Sequence, residues 1–225
     1  MYQIVKAVLV LSEKEQWRIE KEQLVRDYHK LNINAVKGGV VFTGSSLMEM
    51  FPIEQWVAEM SIPKPIVYNR GVGGYKTFEL LSVIDICVIE LKPKKVFINI
   101  GTNDLSDAGI SIDEVISNYD KILTEIESAL PDTVIYLMAY YPVNYDAADD
   151  NMKECLKVRN NEKINAANRA VEELAVRHNQ RYIDINDNLK DHMGRLKAEY
   201  TIEGIHINDN GYRAIFNDLM KYVLE

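Results

Sequence analysis

Cysteine is scarce: Cys87 and Cys155 are the only two in 225 residues, and neither belongs to a CxxC pair. That excludes a disulfide framework and a cysteine-built zinc site. Cys87 lies in an apolar helical run and reads as a buried thiol. Histidine is also sparse, with four scattered residues and no HxxxH pair, so neither a metal site nor a cofactor is expected. Long hydrophobic runs are missing. Residues 1–11 are apolar, but Lys6 interrupts them and Ser12-Glu13-Lys14-Glu15 follows at once. A membrane span needs about 20 apolar residues, and a signal peptide needs a longer apolar region with a small-residue cleavage site. A cytoplasmic chain with a packed N-terminal segment is the expectation. Basic clusters with interleaved aromatics are absent, and 26 Lys and Arg against 34 Asp and Glu leave a net charge of −8. Such a chain repels phosphate backbones, so nucleic acid is not an expected partner.

What remains is 47% hydrophobic residues with no low-complexity segment and no internal repeat. This suffices for one core and predicts a single domain over 1–225, with 1–38 as an N-terminal helical extension packed on it. Short apolar runs alternate with amphipathic stretches. Residues 13–30 predict a charged surface helix. Val40-Val41-Phe42 predicts a buried strand, residues 52–60 a short helix and Ile66-Val67-Tyr68 a second strand. Leu80, Ile84, Cys87, Val88 and Leu91 are spaced by three and four, as on one helix face. Strands at 96–100, 134–138 and 182–185 follow, with helices through Tyr119–Leu130, Ile164–Leu174 and Tyr212–Val223 between and after them. Residues 140–158 read as a polar loop. Five alternations with continuously apolar strands predict an α/β three-layer sandwich around a five-stranded parallel sheet. Ligands bind at the carboxyl ends of such strands.

The unusual residues fall at those ends. Ser46, in Gly44-Ser45-Ser46-Leu47, follows the first strand. It can be a nucleophile exposed above the sheet, or only a helix cap. Gly71-Val72-Gly73-Gly74 follows the second. It can aim backbone N–H groups at an oxyanion or a phosphate, or be a plain tight turn. Gly101-Thr102-Asn103-Asp104 follows the third. An asparagine amide donates to an oxyanion without titrating, and a strand-exit turn is the alternative. Of the four histidines only His206 has an acid three residues before it, Glu203. A tight turn there can hold the imidazole by one nitrogen and leave the other to accept a serine proton. A capping or surface histidine is the alternative. Jointly these residues make a parts list for acyl transfer.

The four blocks, in this order over residues 39–223, resemble the SGNH (GDSL-like) hydrolase superfamily, and among its branches the bacterial one similar to platelet-activating-factor acetylhydrolase. The resemblance implies a flavodoxin-like fold and a serine esterase. Ser46, His206 and Glu203 would be the catalytic residues, and Ser46, Gly74 and Asn103 the oxyanion hole. Two positions depart from the family pattern. Ser45 stands where Asp is usual, and Glu203 stands where the triad Asp is usual. The added methylene leaves open whether Glu203 completes a triad or His206 works in a dyad. Leu47, Tyr75, Tyr140 and Tyr141 are expected to border the substrate pocket. Short acyl groups, acetyl above all, on a sugar or small metabolite are the expected substrate. A thioesterase or lysophospholipase, or a weakly active binding module for acylated ligands, is the alternative.

Overall fold

The computed structural model describes residues 12–61 and 64–225. The packed segment expected over residues 1–11 lies outside the described residues. Five strands form one parallel sheet: β1 (Val40–Gly44), β2 (Val67–Gly71), β3 (Lys95–Asn99), β4 (Val134–Met138) and β5 (Arg181–Ile183), in the order β2-β1-β3-β4-β5. The chain leaves β1 for one side and then crosses to the other, which makes the carboxyl end of β1 the switch point of the sheet.

Alternation along the strands divides the core in two. Val41, Val96, Ile98, Ile135 and Leu137 face one side. There they meet α1 (Glu13–Ile33), α4 (Thr77–Leu81), α5 (Ile84–Cys87), α6 (Ile112–Ala129) and α8 (Asn161–Arg177). Phe42, Phe97, Tyr136 and Met138 face the other side, toward α2 (Ser46–Glu49), α3 (Ile53–Glu59) and α9 (Asp209–Leu224). The register pairs Phe42 with Phe97 and Phe97 with Tyr136. Their rings stack at 4.7 and 4.5 Å within 8° of parallel, so three central strands are locked by one aromatic ladder.

The expected N-terminal helix is α1, opened by a capping box in which Ser12 and Glu15 satisfy each other's backbone N–H groups. It is tied to the sheet's outer edge. Tyr28 Oη donates to the Gly71 carbonyl at 2.8 Å. Arg70, buried between the Tyr28 and Tyr68 rings, donates twice to Asn32 Oδ1 at 3.1 Å. Among the described residues no helix is long and apolar enough to cross a membrane.

Three readings of the sequence need correction. The helix through residues 80–91 is broken into α4, α5 and a 3-10 turn at Ile89–Leu91. Val83 and Val88 leave helical backbone between the pieces, although Leu80, Ile84, Cys87, Val88 and Leu91 are all buried as the spacing required. The stretch read as a loop over 140–158 ends in a helix, α7 (Asp150–Val158), capped by Asp149. Tyr140 and Tyr141 do not border an open pocket. Past the end of β4 the alternation shifts phase: Tyr140 is buried in the half of the core that holds Ile135 and Leu137, and Tyr141 in the half that holds Tyr136 and Met138.

Candidate active site

The nucleophile candidate is set by how β1 ends. Gly44 has φ +151, and a Cβ there would lie 2.1 Å from the Asn99 carbonyl oxygen, so only glycine lets β1 pass β3 at this point. Ser45 is the extended cap residue of α2; its carbonyl accepts from Met48 and Glu49, while its hydroxyl makes no capping bond. Ser46 is the first helical residue, half-buried, and its Oγ is 2.9 Å from His206 Nε2. Its hydroxyl is therefore committed to the histidine and does not cap the helix.

His206 sits in a pinched loop before α9. Thr201 and Ile207 form an antiparallel bridge. Thr201 Oγ1 donates to the His206 carbonyl and accepts the Gly204 N–H at 2.8 Å. Gly204, at φ +96, turns the chain so that Glu203 folds back. Glu203 Oε1 lies 2.5 Å from His206 Nδ1 and accepts the His206 backbone N–H at 3.2 Å. The extra methylene of glutamate is absorbed by this loop. An ionised carboxylate only accepts, so Nδ1 carries the imidazole proton and the Nε2 lone pair faces Ser46. Glu203 Oε2 is buried without a partner.

Two further loops converge. Gly74 is left-handed at φ +71, and a Cβ there would lie 2.1 Å from Trp17 Cη2. Thus the N-terminal helix lays an indole, half exposed, directly on the glycine turn. Lys21 of the same helix lies 4.6 Å over the Trp17 ring and 5.0 Å over Tyr75, and pairs with Glu79 at 3.0 Å. Trp17, Glu20, Lys21, Leu24, Glu49 and Gly73 line a cleft of about 250 Å³. Among the described residues no protein acceptor takes the backbone N–H of Ser46 or Gly74.

Asn103 Nδ2 donates to the Tyr75 carbonyl at 3.0 Å, bridging the third block to the second. Asp104 ties the same turns together from below. Its carboxylate accepts from Thr77 N and Thr77 Oγ1, the latter at 2.6 Å, so it caps α4. Burial pushes its pKa up, against the opposing hydrogen bonds from Thr77.

The structure thus brings Ser46, His206 and Glu203 into one hydrogen-bonded chain and sets Gly74 and Asn103 on neighbouring turns. Leu47 and Tyr75 flank these turns, but both are buried, like Tyr140 and Tyr141. Tyr140 Oη is spent on the Ile100 carbonyl at 2.7 Å. Two residues at the site were not singled out from the sequence. Trp17 has no local signature, since only the packing of α1 carries it there. Arg159, 4% exposed, follows α7 and reaches Asn103 Oδ1 at 3.2 Å. Its place was hidden by reading α7 as loop. Cys87 is buried as expected, and burial pushes its thiol up to about 12. Among the described residues no group of three or more His, Cys, Asp or Glu could hold a metal ion.

A sheet of this order with such residues at its carboxyl edge defines a class of acyl-transferring hydrolases, and comparison with known proteins agrees. The chain belongs to the GDSL-like Lipase/Acylhydrolase family, whose model matches residues 50–214. That span holds Gly74, Asn103, Glu203 and His206 and begins just after Ser46. The chain is similar to a Streptococcus pneumonia structure described as a platelet activating factor, with 32% identity, TM-score 0.82, and 93% of this chain and 95% of that chain covered. The fold is shared with an acetylxylan esterase from Geobacillus stearothermophilus, at 17% identity, TM-score 0.64, and 84% and 95% coverage. A further relative is the N-acylneuraminate cytidylyltransferase of Escherichia coli O18:K1:H7 (strain RS218 / NMEC), 25% identical over 220 residues. The match takes in 96% of this chain and 48% of that protein, so the chain spans about half the length of this curated relative.

Proposed function

We propose that the protein removes short acyl groups, acetyl above all, from a sugar ester through an acyl-enzyme on Ser46. The observation that carries this reading is the continuous relay from Ser46 Oγ to His206 Nε2 at 2.9 Å and from His206 Nδ1 to Glu203 at 2.5 Å. His206 Nε2 takes the hydroxyl proton as Ser46 Oγ attacks the ester carbonyl. Glu203 holds the tautomer and stabilises the imidazolium. The N–H groups of Ser46 and Gly74, with the Asn103 amide, receive the oxyanion. His206 returns the proton to the leaving alcohol, and water then releases the acid by the same steps.

Two observations support a small acylated sugar as substrate. Trp17 presents a half-exposed indole on the Gly74 turn, a surface suited to the C–H face of a sugar ring. Two proteins similar to this chain carry names concerned with acylated sugars, acetylxylan esterase and N-acylneuraminate cytidylyltransferase. The test is release of acetate from a panel of O-acetylated sugars beside p-nitrophenyl esters of increasing chain length, for wild type and Ser46→Ala. Acetylated sugars are expected to give the highest kcat/KM, and Ser46→Ala is expected to be silent with every substrate. Undiminished turnover by Ser46→Ala would sink the mechanism. A preference for long acyl chains would sink the substrate assignment.

A further inference from the structure

We propose that Arg159 is a positioning residue of the oxyanion hole, holding the Asn103 carboxamide in the one orientation that offers a donor to substrate. This rests on the reading of Asn103 as an oxyanion donor. Arg159 caps the end of α7 with its N–H on the Cys155 carbonyl at 2.9 Å and is 4% exposed. Its Nη1 donates to the Thr102 carbonyl and to Asn103 Oδ1, each at 3.2 Å. The opposite end of the amide, Nδ2, donates to the Tyr75 carbonyl at 3.0 Å.

These two partners fix the amide without ambiguity. A guanidinium only donates and a carbonyl only accepts. Turning the carboxamide over would set its NH2 against the guanidinium and its oxygen against the Tyr75 carbonyl, so both contacts would become repulsive. In the observed orientation Nδ2 has two hydrogens and one is spent on Tyr75. The second remains for an oxyanion. Without Arg159 only the Tyr75 carbonyl opposes the turned form, and Asn103 Oδ1 loses its partner. Arg159 Nε is buried and unpartnered, as is Glu203 Oε2; burial lowers the pKa of the guanidinium, and Glu203 is among the charges that oppose this. The orientation of the amide is nevertheless the effect that contact distances support.

The test is a double-mutant cycle. Arg159→Met and Arg159→Lys are each made in the wild-type and Asn103→Ala backgrounds and assayed on p-nitrophenyl acetate, with thermal melts and fluorophosphonate labelling of Ser46. Arg159→Met is expected to lower kcat about 10- to 100-fold, the range of a misplaced oxyanion donor, with KM changed less than about threefold. Arg159→Lys keeps one donor and is expected to lose less. In the Asn103→Ala background either substitution is expected to cost less than about threefold more, because the group it acts through is gone. Equal losses in both backgrounds, or a wild-type kcat in Arg159→Met, would overturn the proposal. If Arg159→Met does not melt cooperatively, the Lys variant decides by the same comparison. Failure of the underlying site reading is distinguished by Ser46: wild type would then resist the probe and Ser46→Ala would stay active.

Discussion

Glu203 is the residue at which this site departs from the family pattern, and its replacement gives the most informative perturbation. In Glu203→Gln the side-chain oxygen can still accept from His206 Nδ1 and from the His206 backbone N–H, now 2.5 and 3.2 Å from Oε1. The tautomer survives, the charge is lost, and the amide NH2 takes the place of the unpartnered Oε2, where it too lacks a partner. A hydrogen bond to a charged group contributes about 1.5–3 kcal/mol against roughly 1 kcal/mol for a neutral one. The imidazolium formed during attack therefore loses about 1–2 kcal/mol, plus the longer-range attraction of the carboxylate, which at 4 Å and an effective dielectric of 20 has an upper bound of about 4 kcal/mol. The expected fall in kcat is on the order of 10- to 10,000-fold with KM nearly unchanged. Glu203→Asp restores the family's usual residue yet withdraws the carboxylate by about 1.5 Å, one C–C bond. The loop cannot follow easily, since Thr201 Oγ1 clamps both Gly204 N and the His206 carbonyl. Aspartate is accordingly expected to lose activity too. Initial rates on p-nitrophenyl acetate across pH, for all three proteins, supply the assay. Wild-type rates in Glu203→Gln would refute the reasoning and leave a Ser46–His206 dyad.

Other expectations follow from single contacts. Trp17→Ala removes the indole lying against Gly74 and should raise the ratio of butyrate to acetate ester hydrolysis; an unchanged ratio would deny α1 a role in chain-length selection. Asp104→Ala leaves Thr77 N and Oγ1 without their acceptor and should cost about 1–2 kcal/mol in urea unfolding; full stability would contradict the capping role. His178 lies between Glu127 Oε2 at 2.9 Å and Asp120 Oδ1 at 3.0 Å. Burial pulls its pKa down, but the hydrogen bonds and charges of Glu127 and Asp120 outweigh this and leave it raised above 6.5. The folded state then binds the proton more tightly than the unfolded one. The stabilisation is complete below 6.5 and is lost as pH rises through the higher folded value. Melting temperatures of wild type should fall across that window, and those of His178→Gln should not; parallel curves would refute it.

Much of this was legible because the site is built from local signals. Each strand is a short buried run ending in residues that suit an exposed turn, and the parallel topology places Ser46, Gly74, Asn103 and His206 at one edge. The geometry of Glu203 was not legible, because it depends on the Gly204 turn and the Thr201 clamp, whose closure is a three-dimensional fact. The Tyr140-Tyr141 reading failed for an instructive reason. The chain stays buried past the last paired residue of β4, but its alternation shifts by one position at Ala139, and both rings end up buried on opposite faces. Arg159 had a signal that went unread: Asp149 is a cap, and Met152, Cys155, Leu156 and Arg159 follow at helical spacing. Trp17 had none, since it lies 57 positions from Gly74 in the chain and reaches it only through the anchoring of α1 by Tyr28 and Asn32.

The central claim is that Ser46 is an activated nucleophile. Intact-mass analysis after a stoichiometric fluorophosphonate, followed by peptide mapping, tests it most directly. One adduct at Ser46, formed in step with loss of esterase activity and absent from Ser46→Ala and strongly slowed in His206→Ala, is the predicted result. An unlabelled but active wild-type enzyme, or an adduct on another residue that tracks the loss of activity, would contradict it.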